Sequence, residues 1–205
     1  DPQTQTATFE KSWEEKGEWD EDLQEFEMVK NISLDWFLGI LLPCLWIGIV
    51  SGLISGMVKI GWEAILPPRT KERDETNPPQ KLMQQIGFPK KITHAYFLYS
   101  KNQKVYWFAL ILHFSFSIVF SFIFVVLSQI WSGISLGEGA LYGIIIWFLW
   151  HILLMPITKT VPQPWKQPFS EHFSEFFGHI VWSWSIAAVS FYMIATHYSD
   201  VLSLF

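Results

Sequence analysis

Four stretches of this chain, near residues 36–65, 105–130, 138–157 and 173–197, run for about twenty residues or more with almost no charge, the length that crosses a bilayer's hydrocarbon. Hydrocarbon offers no water to backbone N–H and C=O groups, so such stretches must satisfy their hydrogen bonds internally as helices. The expected fold is all-α, an integral membrane four-helix bundle over residues 36–205. Residues 1–35 form an acidic N-terminal extension that holds eleven of the nineteen Asp and Glu residues. This segment is expected to be a tail or an interfacial helix using Phe9, Trp13, Leu23 and Phe26. Half of the chain is hydrophobic and only 16% is charged, too apolar a balance for a soluble domain.

The first stretch is long and contains Pro43, where a missing backbone donor predicts a kink. Aromatic residues crowd the expected helix ends, Trp62, Tyr142, Trp182 and Trp184 among them, and are read as interfacial belt and packing. Residues 66–104 form a long connection punctuated by Pro67, Pro68, Pro78, Pro79 and Pro89. The second connection is the short turn region around Ser132–Ser135, and the third carries Pro162, Pro164 and Pro168. Lys and Arg number three before the first span, eight in loop one, none in loop two, two in loop three and none after the last span. This bias places loops one and three in the cytoplasm and both termini outside.

Several function classes are excluded by what the chain lacks. A nucleic-acid partner would need a broad basic face, and the basic residues cluster only in one loop beside the membrane. Cys44, the single cysteine, supports neither an intrachain disulfide nor a cysteine metal cage. No glycine-rich phosphate loop, Ser-His-Asp signature or zinc-protease helix motif is present, so no enzyme activity is assigned. The expected partner is the lipid bilayer, with a homo-oligomer or a membrane complex left open.

Polar residues inside the spans fall into ladders. Gly48, Gly52 and Gly56 recur every four residues and lie on one helix face, where they allow close approach of another helix. Beside them run Ser51, Ser55, Lys59 and Glu63. The second span carries His113, Ser117 and Ser121, the third Gly139, Gly143 and His151, and the fourth Glu171, Glu175, His179 and Ser183. A polar ladder facing lipid is costly, so these four faces are expected to turn toward one another. At 1.5 Å per helical residue, Lys59, His113, His151 and His179 lie on the order of 10 Å below the surface of loops one and three. Glu63 and Glu175 lie one turn shallower. The expected site is thus a polar cavity lined by Lys59, Glu63, His113, His151, Glu175 and His179.

At these positions the chain resembles the YagU-like family of bacterial inner-membrane proteins. The resemblance is carried by Gly52-Leu53-Ile54-Ser55-Gly56-Met57-Val58-Lys59, by Leu66-Pro67-Pro68-Arg69, by His113 with Phe116-Ser117-Ile118, and by Ser174-Glu175-Phe176-Phe177-Gly178-His179-Ile180-Val181-Trp182. It implies a multi-pass protein of the inner membrane associated with acid resistance, with no established reaction. The family's short basic N-terminus would place that end in the cytoplasm, opposite to the orientation given by the loop charges, and the acidic extension has no counterpart in the family pattern.

Three functions fit these residues. In the first, the cavity handles protons or another small cation, with the three histidines titrating and Lys59, Glu63 and Glu175 setting their charge state. In the second, two or three of His113, His151 and His179 bind haem or a transition metal. In the third, the polar layer fixes the packing of an accessory subunit of a membrane complex.

Overall fold

The computed structural model describes residues 37–66 and 70–204, and the acidic segment 1–35 lies outside them. Among the described residues, four helices are long and apolar enough to cross a membrane, over Gly39–Ile65, Trp107–Ile130, Ala140–Ile157 and Phe169–Tyr198. The fourth begins four residues before its sequence-based estimate because Pro168 occupies its N-cap, where a residue without an N–H leaves no bond unmade.

A π-helical turn, Phe37–Leu41, leads into α1, Leu42–Ile65. Pro43 stands at the second position of α1, directly after that π-helical turn, and has no backbone N–H to donate. Loop one is a folded cap and not an irregular connection. It contains α2 (Lys71–Glu75), α3 (Pro78–Gln85), α4 (Lys90–Thr93) and an antiparallel hairpin of β1 (Phe97–Ser100) and β2 (Gln103–Val105), which pairs Phe97 with Val105 and Leu98 with Lys104. Pro78 and Pro89, which read as breakers, stand at the starts of short helices here. Asn77 closes a capping box with Gln80 (2.9 and 3.0 Å), and Pro78 supplies the pre-set φ of the first turn. The Gln80 amide then donates to the Thr93 carbonyl at 2.7 Å, tying α3 to α4.

After the cap come α5 (Trp107–Ile130), a 3-10 turn over Ser132–Ser135, α6 (Ala140–Trp147), a π-helical stretch Phe148–Leu154, α7 (Met155–Ile157) and finally α8 (Phe169–Met193). Helix α1 packs against both α5 and α8, and α8 packs in turn against α6.

Glycine makes these contacts close. A Cβ on Gly48 would lie 2.6 Å from the Phe122 Cα, one on Gly52 2.5 Å from the Ile118 Cα, and one on Gly56 2.8 Å from the Phe114 ring. The α6–α8 contact has the same origin, since a Cβ on Gly143 would lie 2.5 Å from the His179 carbonyl oxygen. Gly139, at the N-cap of α6, adopts φ +89° and sits against Ser183 and Ala187.

The third span meets α5 mainly through side chains. Tyr142 donates its hydroxyl to the Phe120 carbonyl at 2.6 Å, and ring pairs Phe124–Tyr142 (5.1 Å) and Phe116–Trp150 (5.3 Å) fill the gap. Tyr142 and Trp182 are 2% and 3% exposed, so these two belong to the core and not to an interfacial belt.

Candidate functional site

The α1–α5–α8 contact carries a buried ladder of hydroxyls. Ser55 and Ser117 face each other at 3.0 Å, and the Trp182 indole donates to Ser117 at 2.8 Å. One turn further toward loop one, the ladder becomes ionic. Lys59 reaches across α8 to Glu175 (3.2 Å) and along its own helix to Glu63 (2.9 Å). Gly178 makes that crossing feasible, because a Cβ there would lie 3.0 Å from the lysine nitrogen. The Trp62 indole fixes the same helix pair by donating to the Ser174 carbonyl at 3.0 Å.

Loop one closes the network from above. Thr70 caps α2, its hydroxyl accepting from the Arg73 N–H at 3.4 Å, and its own N–H donates to Glu171 Oε1 at 3.2 Å. This capped turn aims the Arg73 guanidinium at two carboxylates one helical turn apart. One nitrogen lies 2.7 Å from Glu175 Oε1, and the other pairs with Glu171 Oε2. A planar guanidinium suits this task because it offers donors in a fixed fork.

The histidines occupy two positions. His151 and His179 stack edge to face at 4.9 Å, with His151 Nε2 at 3.3 Å and His179 Nδ1 at 3.9 Å from Glu175 Oε2. His179 Nδ1 donates to the Glu175 carbonyl at 2.7 Å, which fixes its ring orientation. His151 lies within the π-helical stretch, a wide turn that ends just before Pro156, whose nitrogen cannot donate. His113 stands apart from this pair and donates Nε2–H to the Gly56 carbonyl at 3.0 Å.

All six residues read as a polar site line one cavity of about 420 Å³, bounded on the loop-one side by α3. The two carboxylates placed one turn shallower differ from each other. Glu63 is partly wetted, with 30% of its side chain exposed, whereas Glu175 is buried at 9% because the loop-one cap lies over it. The sequence reading missed Arg73, Glu171 as an ion-pair partner, and Gly178. The signal for Arg73 was electrostatic: one lysine cannot balance three buried-face carboxylates, so a second cation was required from elsewhere.

Taken with neutral histidines, Lys59 and Arg73 face Glu63, Glu171 and Glu175, a formal sum of -1. A buried excess of charge is costly unless something compensates it. The arrangement therefore leaves one negative charge of the network without a cationic partner. His151, Glu175 and His179 also offer ligand atoms within 4.8 Å of one another, the donor set of a divalent transition-metal site. His113 is not part of that set. Lys59 lies against Glu175 Oε2, the oxygen that also faces His151 and His179, and would oppose a cation there electrostatically.

Residues 53–188, which include every member of the ionic network, match a family described as a protein of unknown function, DUF1440. The inner membrane protein YagU of Escherichia coli (strain K12) is 30% identical over 165 residues, an alignment covering 70% of this chain and 80% of YagU. No solved structure matches. With four membrane-length helices and this relative, the chain belongs to the DUF1440 family and is a multi-pass protein of the inner membrane.

Proposed function

We propose that this inner-membrane protein handles protons or another small cation at the Glu175 network, in the service of acid resistance. One observation carries the reading: a single buried carboxylate is faced at once by Lys59, Arg73, His151 and His179, inside the spans and beside a cavity that reaches the loop-one side. Such a cluster has no packing rationale that apolar residues would not serve as well, and intramembrane ionisable groups mark ion and proton pathways. Imidazole is suited to the task because its ordinary pKa, about 6.5, is crossed by moderate acidification. The link to acid resistance rests on the resemblance to the YagU-like family.

The test is proton flux into liposomes holding the purified chain. The expected result is a flux that Glu175→Gln and His179→Ala each reduce at least about tenfold, the loss typical of removing a positioned proton carrier. A wild-type flux no greater than that of empty liposomes, or one indifferent to both substitutions, would end this reading.

A second reading is favoured by the compact donor set of His151, Glu175 and His179, which would hold a transition metal. Metal analysis and an absorption spectrum of the purified protein separate the two. Stoichiometric metal lost in His151→Ala would replace the proton reading, and a colourless, metal-free sample that still conducts protons would retain it.

A further inference from the structure

We infer that the cavity beside Glu175 binds a protonated organic amine with an apolar, aromatic-sized body, an assignment that rests on the cation-handling reading and gives it a substrate class. Size is the first reason. A volume of about 420 Å³ falls within the roughly 300–1,000 Å³ of small-molecule sites, far more than a proton or a bare ion occupies.

Charge is the second. The ionised residues lining the cavity are Lys59 and Arg73 against Glu63, Glu75 and Glu175, so the wall carries an uncompensated negative charge. Glu171, which shares Arg73, adds to it from behind.

Hydrogen-bonding polarity is the third. A neutral imidazole has one N–H and one lone pair. His113 gives its N–H to the Gly56 carbonyl and His179 to the Glu175 carbonyl, while His151 turns Nε2 toward the Glu175 carboxylate. What remains on these cavity-lining rings is a set of acceptors: His113 Nδ1, His151 Nδ1 and His179 Nε2. The two cationic donors are engaged on carboxylates, Lys59 with Glu63 and Arg73 with Glu175, and the Trp182 indole on Ser117. A ligand with N–H donors and a positive charge completes the site, and a carboxylate of the same shape meets repulsion.

Aromatic residues of the same lining suit the body of such a molecule. Phe116, Trp150 and Trp182 present ring surfaces, with Phe116–Trp150 at 5.3 Å and Phe116–Trp182 at 6.2 Å between centroids. Ring faces attract an ammonium group directly, most strongly where water is excluded, and stack on an aromatic body.

The experiment is calorimetric titration of the full chain in nanodiscs with phenethylammonium, with phenylacetate as the anion of matched shape. Phenethylammonium is expected to bind saturably and at least about tenfold more tightly than phenylacetate, given the cost of like-charge contact. Trp150→Ala should weaken it by about tenfold and Trp150→Phe should restore most of that loss. Size-exclusion profiles establish that both variants are folded, and the phenylalanine variant keeps the test decisive if the alanine variant is not. Equal binding of phenylacetate, or binding indifferent to both Trp150 variants, overturns the assignment. Absence of phenethylammonium binding from a protein whose proton flux is abolished by Glu175→Gln overturns the ligand class alone and leaves the proton reading intact. Binding as described without any flux supports the site and removes proton conduction instead.

Discussion

Lys59→Met removes one of two cations from the buried network and leaves Arg73 alone against Glu63, Glu171 and Glu175. Taking one partner from a buried pair costs about 3–5 kcal/mol, because the other charge stays buried without compensation. Here Arg73 still holds Glu175 at 2.7 Å and Glu63 is partly wetted, so the lower end, about 3 kcal/mol, applies. Glu175→Gln has a different effect. It leaves Lys59 with Glu63 and Arg73 with Glu171, a balanced set, and should cost only about 1 kcal/mol in lost hydrogen bonding. The double variant removes the excess negative charge that Lys59→Met creates. It should therefore be more stable than the sum of the singles by about 2 kcal/mol, within the range for directly coupled neighbours. The assay is equilibrium unfolding of the four proteins in one micelle system, followed by circular dichroism. Two results would refute the reasoning: Lys59→Met within about 0.5 kcal/mol of wild type, or a double variant that is additive within the same margin.

Two further substitutions probe the helix contacts. Gly52→Ala would set a Cβ 2.5 Å from the Ile118 Cα and force backbones apart, at a cost of about 1–3 kcal/mol, whereas Gly61→Ala meets nothing within 4 Å and should stabilise the helix by up to about 1 kcal/mol; unfolding midpoints in micelles distinguish them. Tyr142→Phe deletes the bond to the Phe120 carbonyl and should cost about 1 kcal/mol in the same measurement, with hydrogen exchange rising at the α5–α6 contact.

The membrane helices were legible because bilayer thickness imposes a length and an apolarity that few other structures share. The ladders were legible for a related reason: a residue every fourth position stays on one helix face, so Lys59 with Glu63 and Glu175 with His179 could be placed before any contact was known. Loop one was not. Its prolines read as interruptions, yet Pro78 and Pro89 stand at the starts of short helices, and what organises the cap is a set of distant amide bonds such as Gln80 to Thr93. Arg73 was hidden with it, since no local period relates a loop residue to carboxylates about a hundred positions later. The burial of Glu175 was hidden for the same reason. Counting residues from a span's end assumes water begins where the span stops, and the cap displaces that boundary. His151, which meets His179, lies in a π-helical stretch that a 3.6-residue period does not describe.

The convergence of Arg73, Lys59 and both histidines on one carboxylate can be measured directly in lipid. Solid-state NMR on the full chain in bilayers, with carboxyl carbons of glutamate and side-chain nitrogens of arginine and histidine labelled, reads carbon–nitrogen dipolar couplings. Glu175, assigned by its loss in Glu175→Gln, should couple strongly to both the Arg73 guanidinium and the His151 ring, whose nitrogens lie 2.7 and 3.3 Å from its oxygens. A Glu175 carboxyl coupled to neither would show that the loop-one cap and the third span do not meet there.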